Sequence, residues 1–201
     1  GGEYPPVENA FAFGNCWFVD SVAVAATPDD EIALLGKTDL HTTAVIGDDF
    51  KWAQEAVRSV SMPGTSSVMP GEAETSADQI ALTSYSPKEL RYSFKTSAER
   101  AAVFSEIYYP KGWKAWIEPA GAYGEVRNGH YQPTSQAREI DLFRADWMLR
   151  GALIPEGEGE LIMRFEPDSY SLGKSISTAS SIILILLLIG SVALAACRRE
   201  A

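Results

Sequence analysis

Three pairs of closely spaced acids could carry out carboxylate chemistry: Asp29 with Asp30, Asp48 with Asp49, and Glu139 with Asp141. Residues two apart on a strand project from the same face, so Glu139 and Asp141 are predicted to lie side by side. Hydrolysis of a glycosidic bond uses two carboxyl groups in such an arrangement. A solvated strand face explains the same spacing without any reaction. We therefore assign no catalytic residue from this pair.

Metal, cofactor and nucleic-acid sites have little support in the sequence. The two histidines, His41 and His130, are too few for a zinc site without acidic ligands that the sequence does not identify. A loose Ca²⁺ site at Asp48 and Asp49 is an open alternative. G-x-S-x-G, phosphate-loop and G-x-G-x-x-G motifs do not occur. The net charge of −10 repels phosphate backbones, so no nucleic-acid partner and no cofactor are predicted.

Aromatic side chains are the stronger candidates for binding, because flat rings with polar edges suit the faces of sugars. In the run Trp113–Glu118 (WKAWIE), Trp113 shares a strand face with Ala115 and Ile117, so it is predicted to face the core. Trp116 shares the opposite face with Lys114 and Glu118, so it is predicted to face the solvent. Packing of Trp116 beneath the segment 119–138 is the alternative. The candidate glycan contacts are Trp116, Tyr108, Lys114 and Glu118.

The elements that must position these residues are predicted to be mainly β. Alternating runs between short turns over residues 79–168 indicate a β-sandwich. Residues 1–57 predict a small α/β entry segment, with one strand over Phe18–Ala26 and a helix capped by Thr27. Residues 58–78, rich in Ser, Pro, Gly and Thr, predict a linker or long loop.

One C-terminal segment predicts a transmembrane helix. Residues 175–197 contain no charge, and 23 residues of helix span about 34 Å, slightly more than the hydrocarbon core of a bilayer. Arg198 and Arg199 follow directly, so the positive-inside rule predicts a cytoplasmic tail at 198–201 and an extracytoplasmic location for residues 1–174. The predicted anchor residues are Ile182, Leu186, Ile189, Arg198 and Arg199.

The two cysteines and the N-terminal residues bear on processing. Cys16 and Cys197 are predicted to lie on opposite sides of the membrane, so no intrachain disulfide is expected. The run Leu194–Cys197 imitates a lipoprotein processing box at the wrong end of the chain, and acylation of Cys197 stays open. The first residues, GGEYPPVENA, lack a signal peptide, which favours a C-terminal piece of a longer protein.

Three motifs occur in the same order as in a known family, and a fourth short run, F-x-P before the apolar segment, fits that family as well. The first run is GNCWFV, which begins at Gly14, and the second is FSEIYYPKGW, which begins at Phe104. The third is FRADWMLR from Phe143, and FEP from Phe165 precedes the apolar segment. Together they resemble the C-terminal portion of YfhO-type bacterial membrane proteins, in particular those of Bacteroidetes. The resemblance covers nearly the whole chain, and its main departure is the long segment 119–138, where a short turn is expected.

The resemblance implies a function that the residues alone do not give. YfhO-type proteins are multi-span proteins related to GT-C glycosyltransferases, which use lipid-linked sugars to modify envelope polymers. Their catalytic acid lies in an early loop with no counterpart in residues 1–201, so no catalytic residue is carried over. The expected role is an accessory domain and anchor in the bacterial inner membrane, with the bilayer, the upstream spans of the same protein and an envelope glycan or lipid-linked sugar as partners. A non-catalytic structural or interaction module is the alternative.

Overall fold

A computed structural model describes residues 12–60, 78–127 and 129–200, and it is mainly β, which confirms the predicted class. Its N-terminal elements are β1 (Cys16–Val19), β2 (Ser21–Ala25), α1 (Pro28–Leu35), β3 (Thr43–Gly47) and α2 (Lys51–Val60). The following strands are β4 (Gln79–Ser86), β5 (Glu89–Thr96), β6 (Arg100–Ile107), β7 (Trp113–Pro119), β8 (Glu125–Arg127) and β9 (His130–Gln132). The last elements are β10 (Arg138–Ile140), β11 (Leu142–Ala145), β12 (Leu149–Ile154), β13 (Gly157–Phe165) and α3 (Asp168–Glu200).

The strands form two larger sheets and two small ones. One sheet has the order β1-β6-β12-β11, the other has the order β10-β7-β13-β5-β4, and the neighbouring strands in both are antiparallel. Strands β2 and β3 pair in parallel, and β8 and β9 form a hairpin within the segment 119–138. The long segment that departs from the resemblance is therefore a folded β-hairpin with flanking turns.

Helix α1 begins as its sequence predicts. The side chain of Thr27 accepts a hydrogen bond from the backbone N–H of Asp30, Pro28 occupies the first turn, and Gly36 follows the last residue. Acids in the first turn favour this start because they lie at the positive end of the helix dipole. Strands β2 and β3 pair in parallel on either side of this helix in the chain, so β2, α1 and β3 form a β-α-β unit.

The predicted strand Phe18–Ala26 is divided at Asp20. The N–H groups of Asp20 and Ser21 both donate to the carbonyl oxygen of Thr42, so the chain turns there. Strand β1 joins β6 in the first larger sheet, whereas β2 pairs with β3. The entry segment thus shares a sheet with the region after residue 78, and the described residues up to Phe165 belong to one compact unit. Of the predicted linker, 58–60 belong to α2 and 61–77 lie outside the described residues.

The two larger of three clusters of buried side chains among the described residues fill the interior of the β unit. The larger sheets share one cluster, which includes Tyr92 of β5, Phe104 of β6, Ile154 of β12 and Met163 of β13. A second cluster joins the entry segment to the first sheet through Ile46 and other apolar residues. Burial of such side chains is the dominant stabilising contribution to a fold of this kind.

Helix α3 lies in the second compact unit, Glu166–Ala201. By length and composition, Gly173–Ser191 could span a membrane, with a mean hydropathy of 1.7 and no burial inside the protein. Ile182, Leu186 and Ile189 are exposed on it, and Arg198 and Arg199 fall in its last turn. The structure therefore contains an apolar C-terminal helix where the sequence predicts a membrane span.

Candidate functional site

Trp116 is not exposed, and the prediction that it faces solvent is wrong. Only 6% of its surface is accessible, because Tyr131 of the β8–β9 hairpin packs on it with ring centroids 5.0 Å apart. Ile162 of β13 is buried in the same cluster. Both faces of β7 are covered, so alternation along the strand does not separate core from solvent there. The alternative, in which Trp116 packs beneath the segment 119–138, is confirmed.

Glu118 is also buried, with no accessible surface. Its Oε1 accepts hydrogen bonds from the hydroxyl of Tyr131 at 2.8 Å and from the backbone N–H of Thr134 at 3.0 Å, while the Thr134 hydroxyl donates to Oε2. Burial, and the hydrogen bond to Glu118, raise the pKa of Tyr131 well above its usual value. The carboxylate is thus engaged in holding the hairpin to β7.

A concave groove of about 250 Å³ brings together the two remaining glycan candidates. Both residues line the groove: Tyr108 lies in the loop that joins β6 to β7, and Lys114 lies in β7. The lining residues are Tyr108, Tyr109, Pro110, Trp113, Lys114, Glu139, Ile140, Asp141 and Leu142. Aromatic rings, an ammonium group and two carboxyl groups therefore line one concave space.

Glu139 and Asp141 both line this groove, although they do not belong to one strand. Glu139 lies in β10, opposite Trp116 of β7, whereas Asp141 lies between β10 and β11, which belong to different larger sheets. The prediction of a single strand through both residues is therefore wrong. Both side chains are exposed, and neither has an ion-pair partner among the described residues.

Trp113 is partly buried, and its ring packs against Phe165 and Arg150. Its ring lies 5.5 Å from that of Phe165, and the guanidinium carbon of Arg150 lies 4.0 Å from its centroid. Arg150 is 1% exposed, and its Nη2 donates to the carbonyl oxygen of Ile107 at 3.2 Å. Burial lowers the pKa of Arg150. A cation beneath the ring fixes the position of Trp113 at the groove.

The loop that carries Tyr108 is tied to the turn between β11 and β12. The backbone N–H of Tyr108 donates to the carbonyl oxygen of Met148 at 2.7 Å, and its ring meets that of Phe50 edge-on at 5.6 Å. Burial raises the pKa of Tyr108, with a smaller opposing effect from Arg144. The Tyr108 hydroxyl therefore stays protonated at neutral pH and can donate or accept a hydrogen bond.

The turn between β11 and β12 holds a buried acid that the sequence reading missed. Asp146 and Trp147 have φ values of 48° and 72°, which lie outside the range of extended backbone, and β12 begins after them at Leu149. Glu31 Oε1 accepts the Trp147 N–H at 3.2 Å, and Glu31 Oε2 accepts a hydrogen bond from Arg144 Nη2 at 2.9 Å. The tolerance of Asp for left-handed backbone was the one available sequence signal.

Possible metal ligands are dispersed. Among the described ranges, no group of three or more His, Cys, Asp or Glu residues is placed to hold an ion. Asp48 lies in a 3₁₀ turn 3.9 Å from Lys51 Nζ, and the ring of His41 stacks on Phe13 at 4.0 Å. Burial raises the pKa of the Cys16 thiol to about 11, which makes it a poor nucleophile.

No family model, curated protein or solved structure matches this chain in comparisons with known proteins. The likeness to YfhO-type proteins stays a prediction from the three motifs and the F-x-P run. Function must therefore be inferred from the groove between Tyr108 and Asp141 and from the apolar helix α3.

Proposed function

We propose that this chain is the extracytoplasmic accessory domain and C-terminal membrane anchor of a YfhO-like multi-span protein. In this proposal the two larger sheets form a β-sandwich that contacts an envelope glycan or lipid-linked sugar, and the catalytic part lies elsewhere in the parent protein. The observation that carries the proposal is the groove lined by Tyr108, Trp113, Glu139 and Asp141. The core cluster with residues from both sheets supports the sandwich.

The groove has the two kinds of contact that a sugar needs. Rings such as Tyr109 and Trp113 present apolar faces for the C–H groups of a pyranose. The carboxylates of Glu139 and Asp141 can accept hydrogen bonds from sugar hydroxyls, and Lys114 carries a positive charge for an acidic substituent. Glycan contact by this set replaces contact by Trp116 and Glu118, which are buried.

The apolar helix supports the membrane part of the proposal. Exposure of Ile182, Leu186 and Ile189 along α3 would be costly in water, and a bilayer removes this cost. With Arg198 and Arg199 at the cytoplasmic end, the β unit lies outside the inner membrane. A glycan bound in the groove is then held by a domain tethered to the membrane where lipid-linked sugars reside.

The test is glycan titration of the full chain in lipid nanodiscs. Neutral, amino-substituted and acidic oligosaccharides serve as probes, and binding is followed by calorimetry. We expect saturable binding of at least one class, weakened about tenfold or more by Tyr109→Ala, the loss expected when one stacking contact of ~1.4 kcal/mol is removed. Tyr85→Ala is the matched control, because Tyr85 is exposed but does not line the groove. Absence of binding by every class contradicts the glycan role.

A structural or interaction module is the second candidate. It is favoured by Glu31 and Glu118, two buried carboxylates whose hydrogen bonds all join parts of the chain rather than face a ligand. The double change Glu139→Gln with Asp141→Asn separates the two functions in the parent protein. Loss of sugar transfer with normal assembly supports glycan binding, whereas loss of assembly supports the structural role.

A further inference from the structure

Exposed apolar side chains are concentrated at one end of the β unit. Of the eight large apolar residues exposed in the described chain outside α3, three lie on α1, α2 and β8. The other five form a set that we call the terminal patch: Tyr85 (65% exposed), Ile107 (67%), Tyr109 (53%), Trp147 (36%) and Met148 (51%). Concentrations of this kind on a protein surface mark an interaction site.

Strand pairing places these residues at the same end of the two larger sheets. Ile107 lies opposite Leu149, which directly follows Met148. Tyr85 lies opposite Leu90, and Leu90 lies opposite Met163 near the end of β13. Tyr109 lies in the loop before Trp113, which pairs with Phe165, the last residue of β13. The terminal patch is therefore at the end of the β unit where β13 finishes.

The opposite end of the sheets is polar. Pro155 and Glu156 connect β12 to β13 there, and Gly157 pairs with Thr96 of β5. The adjoining turn residues Glu156 and Ser97 are exposed. No large exposed apolar residue among those described lies in the turn residues 97–99 or 155–156. The two turns 97–99 and 155–156 at the opposite end therefore lack the exposed apolar side chains of the terminal patch.

The covalent chain limits what can lie against the terminal patch. Helix α3 begins at Asp168, and its apolar stretch begins at Gly173. The seven residues 166–172 reach at most about 25 Å even when fully extended. A bilayer crossed by α3 is therefore within reach of the end of the β unit.

We propose that the terminal patch docks on the interfacial region of the lipid bilayer. The inference rests on the proposed membrane anchoring by α3. Trp147 and Tyr109 are of the residue types that favour the headgroup level, and Ile107 and Met148 add aliphatic surface. Lys111, exposed in the same loop as Tyr109, matches anionic lipid phosphates.

Docking has a consequence for the groove. Tyr109 belongs both to the terminal patch and to the groove lining, so a docked patch holds the groove at headgroup level. The ligand class that fits this position is a sugar carried on a membrane lipid, because its head group lies at that depth. A glycan far from the membrane surface would have to bend back to reach the same groove.

The test measures depth with a fluorescent probe on the full chain in nanodiscs of neutral and anionic lipids. In a background of Cys16→Ala and Cys197→Ser, single cysteines are introduced by Met148→Cys, Glu156→Cys or Leu186→Cys and labelled with an environment-sensitive dye. We expect blue-shifted emission at 148 and 186, quenched by spin-labelled lipids. The label at 148 should be quenched most by spin labels near the headgroups. At 156, on the polar end, we expect emission typical of water.

Each outcome bears on a separate part of the inference. Quenching at 186 with water-like emission at 148 overturns docking and leaves the anchor intact. Water-like emission at 186 removes the membrane proposal itself. Blue-shifted emission at 148 without quenching by spin-labelled lipids shows that protein, rather than lipid, covers the terminal patch. Blue-shifted emission at 148 that requires a second copy of the chain in the nanodisc shows the same, and either result overturns docking. Thermal unfolding of each labelled chain verifies that it is folded.

Discussion

Asp146 and Val45, 101 residues apart, are joined by two hydrogen bonds. The backbone N–H of Asp146 donates to the carbonyl oxygen of Val45 at 2.7 Å, and the N–H of Val45 donates to Asp146 Oδ1 at 2.8 Å. Asp146 Oδ2 is buried and has no hydrogen-bond partner among the residues that the structure describes. The pKa of Asp146 is raised to about 6, chiefly by burial and to a smaller extent by the nearby Glu31, while the hydrogen bond from Val45 opposes the rise. The turn between β11 and β12 is thus docked on β3 through a buried acid that takes up a proton more readily than an exposed aspartate does.

Asp146 is expected to make stability depend on pH. Its pKa is higher in the folded protein than in the unfolded chain, so the folded state binds the proton more tightly between about pH 4 and pH 6. The contribution of this tighter proton binding to the free energy of unfolding is fully present below pH 4 and is lost as the pH rises through 6. At about 1.4 kcal/mol per pKa unit, the loss is on the order of 3 kcal/mol.

The substitution Asp146→Asn isolates this effect, because the amide oxygen can still accept the Val45 N–H and cannot ionise. Other carboxyl groups also make stability depend on pH: Arg100 lowers the pKa of Asp78, and Arg91 lowers the pKa of Glu89. These groups are the same in the native chain and the variant, so their effect cancels when the two melting temperatures are compared. We expect the variant to melt several degrees higher than the native chain at pH 7.5 and to match it at pH 3.5, where the carboxyl group is protonated in both states. An equal difference in melting temperature at both pH values contradicts the prediction.

Gly151 is predicted to be intolerant of any side chain. A Cβ atom there would lie 2.2 Å from Cε2 of Phe143, whose ring is fully buried and meets Trp52 edge-on. Because the ring has no space to withdraw, Gly151→Ala is expected to cost about 2–3 kcal/mol of unfolding free energy. Denaturant unfolding measures the loss.

Gly36→Ala is the matched control, since its Cβ would meet nothing closer than 3.9 Å and its φ of −72° suits any residue. We expect a change within about 0.5 kcal/mol. Equal effects of the two alanines would show that the contact with Phe143 is not the cause.

Local sequence signals were enough for most of the fold. The cap at Thr27 predicted where α1 begins, and the alternating runs over residues 79–168 predicted strands where β4 and β5 lie. Divided strands were missed at Asp20 and Asp141, where the chain passes to another sheet. Such divisions depend on distant partners, as in the bonds from Asp20 and Ser21 to Thr42.

The site was predicted less well, for a physical reason. Alternation along Trp113–Glu118 assumes one covered face, but the β8–β9 hairpin covers the other face of β7. Only the three-dimensional position of Tyr131 reveals that Trp116 is buried. Tyr108 and Lys114 were identified, whereas their proximity to Glu139 and Asp141 depends on the pairing of β7 with β10.

Glu118 is expected to hold the β8–β9 hairpin in place. Glu118→Gln removes the charge that strengthens the bonds from Tyr131 and Thr134, at a cost of about 1.5–3 kcal/mol. The hairpin should then open more often, and trypsin should cleave after the exposed Arg127 several times faster. Mass spectrometry of timed digests detects the cleavage.

The control for this change is Glu125→Gln, on the hairpin itself. Glu125 is exposed and pairs with Arg127 at 2.7 Å, so its removal should change stability by less than about 0.5 kcal/mol. Faster cleavage in both variants to the same extent would mean that hairpin charge, rather than the buried carboxylate, governs opening.

Tyr109 and Tyr85 separate glycan binding from bilayer docking. Both are exposed aromatic residues of the terminal patch, but only Tyr109 lines the groove. Each alanine substitution should therefore reduce lipid quenching of the label at 148, since each removes an interfacial ring. Glycan affinity should fall only for Tyr109→Ala. If both variants lose glycan affinity to the same extent, binding depends on docking rather than on stacking against Tyr109. If neither variant loses glycan affinity, Tyr109 does not contact the glycan in the groove.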